Sequence, residues 1–110
     1  MQISKEVLID ISEDASNSTG VQTDGLLLSG IVFPATMTGS AVTFDFAFDG
    51  SAWVDVKETD GTDVSYTVSA GDVLRVDPSG WAFATGGSLR VTSNGTEAAD
   101  RSIQLIFKSS

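Results

Sequence analysis

The chain has 110 residues, with 6 Lys and Arg, 15 Asp and Glu, no His, no Cys and a formal charge of −9 at pH 7. That length suits one domain with a core of its own. The missing imidazole and thiol exclude Ser-His-Asp and Cys-His catalysis, together with the zinc, copper and iron sites built on those ligands.

In chain order, Ile3, Val7, Ile9 and Ile11 fall on one strand-like face, with Leu8 opposite. Residues 14–24 are rich in Ser, Thr, Asn and Gly and read as a loop. Residues 26–33 form a continuous apolar run around Gly30, the pattern of a buried strand with a bulge, and Pro34 ends it because it has no N–H for a ladder. In residues 41–48, Val42, Phe44, Phe46 and Phe48 share one face, and Thr43, Asp45 and Ala47 the other. Asp49-Gly50 then turns the chain into Trp53-Val54-Asp55-Val56. Asp60-Gly61 leads into Val64, Tyr66 and Val68, and Ala70-Gly71-Asp72 into residues 73–77. Gly86-Gly87 and Asn94-Gly95 bracket a strand over 88–93. In the closing strand, 101–108, Ile103, Leu105 and Phe107 face inward, and Ile106 on the other face implies cover on both sides. No helix of normal length is expected, with one turn at most over residues 97–101.

Asp-Gly and Asn-Gly between alternating runs are hairpin signals, and strands ~8–12 residues apart predict an all-β fold. The expectation is a single antiparallel β-sandwich of about eight strands, jelly-roll or immunoglobulin-like. Residues 1–24 would form an N-terminal strand or arm with a polar loop, and 25–110 the sandwich. Charge is uneven along the chain: residues 1–72 carry a net −10 and residues 73–110 a net +1. The negative total opposes a phosphate backbone as partner. No apolar run reaches the ~20 residues of a membrane span, and the N-terminus lacks the pattern of a signal peptide.

The chemical candidates are weak. Asp55 and Glu58 lie near Asp60 and Asp63 across a turn, and Asp45 and Asp49 flank the preceding strand, but solvated carboxylates at turns look the same. Asp60-Gly61-Thr62-Asp63 offers oxygen ligands for calcium, yet lacks the remaining acids of an EF-hand loop and equally spells a turn. The sequons at Asn17 and Asn94 read as chance matches, and no glycine-rich segment fits a phosphate loop. No catalytic, cofactor-binding or metal-ligating residue is assigned, and the chain is not expected to be an enzyme. Trp53, Trp81 and Tyr66 are the rings suited to stacking on a sugar; each reads first as a partly buried packing residue, and Trp81, at a loop-strand junction, is the better candidate of the three for an exposed contact.

Residues 28–44, then Phe48-Asp49-Gly50-Ser51-Ala52-Trp53-Val54-Asp55-Val56, a second hairpin, Trp81 and the strand 101–108 resemble small structural proteins of tailed bacteriophages, the capsid decoration or cement proteins. The resemblance covers residues 26–108 in strand order and turn type and carries no catalytic motif. It implies a virion protein made in the host cytoplasm and bound to the outer capsid surface. Its partners would be the major capsid protein and copies of itself, a trimer being preferred and a dimer next. It implies no cofactor, nucleic acid or membrane. Contact residues expected on this reading are Ile3, Val7 and Ile9, on an N-terminal strand able to pair with a neighbour, together with Trp53, Trp81 and Phe83. The alternative is a carbohydrate-binding or adhesin module of a phage tail or head fibre, with a glycan as ligand.

Overall fold

In a computed structural model of the chain, residues 3–48 and 52–109 are described. Among the described residues nine strands form in sequence order: β1 (Ser4–Ile11), β2 (Val21–Gln22), β3 (Leu27–Val32), β4 (Ala41–Phe48), β5 (Val54–Asp55), β6 (Ser65–Thr67), β7 (Val73–Arg75), β8 (Gly87–Ser93) and β9 (Arg101–Lys108). They make two antiparallel sheets. The first runs β1-β9-β3-β7, and the second runs β2-β8-β4, with β5 and β6 in succession along the far edge of β4. The expected all-β sandwich is thus the fold.

The pairings also settle the topology. β1 pairs with β9, β2 with β8, β3 with β7, and β4 with β5 and β6. The chain is therefore one long hairpin, closed at β4 and rolled so that alternate strand pairs enter opposite sheets. That is a jelly roll, not an immunoglobulin-like arrangement. β5 and β6 fill a single jelly-roll position, which reconciles nine segments with about eight expected. The interruption is the tight hairpin of residues 57–63, closed by Glu58 N–H donating to Thr62 O at 2.7 Å. Gly61 there has φ +89°, a left-handed value that glycine adopts without strain.

Alternation carries the packing. Ile9, Ile11, Leu28, Ile31, Ile103, Leu105 and Phe107 from the first sheet meet Val42, Phe44, Phe46, Leu89 and Val91 from the second, all buried. The apolar run of β3 keeps its core register through a bulge, where the pairing with β9 shifts between Leu28 and Gly30. Gly30 then lies beneath Ile106, whose Cδ1 would stand 3.3 Å from an added Cβ. Ile106 is half-buried there, so it finds its cover within the sheet and not under a further layer.

Two expectations are corrected. Residues 97–101 form no helical turn; instead a seven-residue 3-10 helix spans Pro78–Ala84. The N-terminal strand is not free to reach away. β1 pairs with β9 over its whole length and, at its Ile11 end, is flanked on the outside by Thr19, whose N–H donates to Asp10 O at 3.0 Å. Ile9 and Ile11 bring residues 4–24 into the same core as the rest. The Asp49-Gly50 turn lies outside the described residues.

Candidate interaction surface

The 3-10 helix organises the most distinctive surface. Asp77 caps it, its carboxylate accepting from Ser79 N–H at 3.1 Å and Ser79 Oγ at 2.9 Å, and Pro78 sits in the first turn, where a missing N–H costs nothing. The far end is tied down by Gly25 N–H donating to Thr85 O at 2.7 Å. Held at both ends, the helix turns Trp81 and Ala84 inward and Phe83 outward.

Trp81 is 3% exposed, and its Nε1–H donates to the Tyr66 hydroxyl at 3.2 Å, which satisfies the one polar atom of a buried indole. Its ring stands edge-on to Phe44, with centroids 4.8 Å apart. Phe83, 50% exposed, stacks on Trp81 at 5.7 Å and meets Phe46 edge-on at 5.9 Å. The rings thus continue one another from the core to the surface. They floor an open groove of about 380 Å³ lined by Val56, Val64, Tyr66, Trp81 and Phe83, with Lys57, Glu58 and Asp77 at its margin. A second hollow of about 280 Å³ adjoins it through Val56, Lys57 and Phe83 and extends to Phe46 and Val54.

The margin is acidic. Lys57 Nζ lies 2.5 Å from Asp63 and 3.9 Å from Asp55. Its pKa is raised, chiefly by the hydrogen bond to Asp63. The Asp55 carboxyl is held above the usual carboxylate range by the neighbouring Asp45, its cross-strand partner. Asp60 is lowered, first by the Thr62 hydroxyl and then by the Thr62 N–H. In the candidate calcium loop one carboxylate oxygen of Asp60 is engaged in the turn and one of Asp63 in the Lys57 ion pair, and no cluster of three metal-ligating side chains is present among the described residues.

Trp53 lies elsewhere, on the outer face of the second sheet. The Arg90 guanidinium stands 4.6 Å from its ring centroid, and Arg90 Nε donates to Asp45 at 2.9 Å. Asp45 is nearly buried and serves an ion pair. The first three expected contact residues lie at the other sheet, Ile3 just before β1 and exposed, and Val7 and Ile9 on β1, the one half-buried and the other in the core. The structure thus brings together only Trp81 and Phe83 of the six. The 3-10 helix buries Trp81 as a packing residue, the first reading of that ring, and of the two presents Phe83 at the surface.

Sequence reasoning also missed Glu97. This carboxylate is fully buried and accepts from Thr38 N–H at 2.8 Å, Gly39 N–H at 2.9 Å, Ser93 Oγ at 2.7 Å and Arg101 Nε at 2.9 Å. Burial pushes its pKa up, but the four donors outweigh it and hold the group at about 2. It clasps the β3–β4 loop to the β8–β9 connection and is spent in doing so. The four-residue spacing to Arg101 was its one trace in the sequence, and there it reads as a helical turn.

No family model and no curated protein sequence matches this chain. Among solved structures, the SPBc2 prophage-derived protein YomS is similar at 12% identity, covering 97% of this chain and 96% of that one, with a TM-score of 0.56. A chain of Bacillus endospore appendages, described as disulfide-linked pili, is 13% identical over 99% of this chain and 88% of its own, with a TM-score of 0.47. The chain is a small jelly-roll sandwich that shares its overall fold, end to end, with a prophage-derived protein.

Proposed function

We propose that this protein is a structural component of a phage particle that decorates and stabilises the outer capsid surface through symmetric contacts with the major capsid protein and with its own copies, as a trimer in preference to a dimer. The observation that carries this reading is the aromatic groove beside the 3-10 helix. A domain that buries Phe44, Phe46 and Trp81 nevertheless leaves Phe83 half-exposed over an apolar hollow, and apolar surface of this kind marks a site of association. The fold shared with a prophage-derived protein supports the phage setting of this reading. The described carboxylates that approach one another are engaged in ion pairs and turns, which suits a part that works by contact and not by chemistry.

Counting this chain against the major shell protein in purified particles, by quantitative mass spectrometry, tests the proposal. A ratio near one, or a simple fraction of it, is expected. A handful of copies per particle would move the protein to a tail or fibre and favour a glycan-binding adhesin. Absence from particles would overturn the virion reading.

A further inference from the structure

We infer that the groove beside the 3-10 helix docks an extended segment of a partner protein in which apolar residues alternate with Lys or Arg. The inference rests on the protein-binding half of the function proposed above and adds where the contact is made and what chemistry it takes.

Shape is the first reason. The two hollows share Val56, Lys57 and Phe83, so they adjoin as one depression whose lining includes rings and valines. An extended peptide places every second side chain on one face, so alternate apolar residues can enter such a floor while the others stay at the margin. Charge is the second reason. Asp55, Glu58, Asp63 and Asp77 lie around or beside the groove, against one cation, Lys57, whose charge is already committed to Asp63 at 2.5 Å. The margin is thus net negative within a chain of formal charge −9. Such a margin attracts a basic segment and repels an acidic one, and charge complementarity of this kind sets specificity and encounter rate. The same argument disfavours a second copy of this chain as the occupant, since two acidic margins would then face each other.

The test uses the full-length, isotope-labelled chain and an eight-residue synthetic peptide alternating Lys with Val or Leu, compared with the same peptide carrying Glu for Lys. The basic peptide is expected to shift backbone amide resonances of residues 56–66 and 77–84, and the acidic one to shift none. Phe83→Ser should weaken binding by about tenfold or more, as expected for an anchoring aromatic. Glu58→Lys, which touches only the margin, should weaken it by roughly fivefold and reduce its salt dependence. Three results would overturn the inference: no shifts, equal binding of the acidic peptide, or shifts on β1 in place of the groove. So would a wild-type oligomer that Phe83→Ser converts to monomer with the peptide inert, because a second copy would then be the occupant.

Incorporation into particles separates this inference from the proposed function. If Phe83→Ser and Glu58→Lys enter particles at the wild-type copy number, the groove assignment fails and the decoration reading stands. If the basic peptide binds the groove while the wild-type chain is absent from particles, the groove stands and decoration fails.

Discussion

The guanidinium of Arg101 and the carboxylate of Glu97 meet at 2.9 Å with the carboxylate completely buried, and the remaining carboxylate hydrogen bonds come from Ser93 and from the backbone of Thr38 and Gly39. A carboxyl that ionises at about 2 in the folded chain and near 4.5 when unfolded stabilises the fold only while ionised. Its contribution is complete above about pH 4.5 and is lost as pH falls toward 2. The shift is worth roughly 3 kcal/mol. Glu97→Gln should therefore lower stability at pH 7 by about that amount, read by denaturant titration. The gap between variant and wild type should shrink between pH 5 and pH 2.5; a gap that stays constant across that range would refute the assignment.

Gly39 and Gly80 make a matched pair. A Cβ on Gly39 would stand 2.0 Å from Ser93 Oγ and 3.3 Å from Glu97 Oε2, inside the same cluster. Gly39→Ala should cost at least ~2 kcal/mol by displacing Ser93 from the buried carboxylate. At Gly80 nothing lies within 4 Å of an added Cβ. Gly80→Ala should be neutral or stabilising by up to ~1 kcal/mol, since it restricts only the unfolded chain. Thermal melts of the two variants should move in opposite directions, or the first alone should fall.

Trp81 and Phe83 are two residues apart and differ in what they support. Trp81→Ala removes a buried ring that packs on Phe44 and hydrogen-bonds to Tyr66, and should cost about 3–5 kcal/mol. Phe83→Ser removes a ring that is half in solvent and should cost less than half as much. Equal losses in chemical denaturation would show that the groove wall is part of the core.

Deleting residues 1–12 removes β1 and, with it, Ile9 and Ile11, which are 1% and 0% exposed. The truncated chain should lose its cooperative unfolding transition and its β-type circular dichroism. A folded truncation would show that β1 is dispensable to the sandwich and free to pair elsewhere.

The strands were legible because their period is two and one face is apolar. Val42, Phe44 and Phe46 are all buried, as are Ile103, Leu105 and Phe107. Strand order was not legible, since the pairing of β1 with β9 joins residues about a hundred positions apart and leaves no local mark. The 3-10 helix was hidden for a different reason. Asp77-Pro78-Ser79-Gly80 spells a turn, and a 3-10 helix is built from the same local bonds continued for a few more residues. Without the helix in view, Trp81 and Phe83 both stood as contact residues, whereas the geometry buries the first and exposes the second. Glu97 was missed because burial of a charge depends on donors supplied from residues 38, 39, 93 and 101 together.

The rolled hairpin also sets an order of events. Among the described strands β9 comes last in the chain, yet it lies between β1 and β3 and pairs with β1 over its whole length. No N-terminal fragment that stops short of residue 101 can complete the first sheet. Until that segment arrives, β1 has no strand to pair with, and the residues it carries, Ile9 and Ile11, are not joined in one sheet with Leu28 and Ile31 of β3. Folding must therefore wait for the most distant contacts in the chain, which makes it slow and all-or-none, and exposes partly made chains to chaperones and to one another.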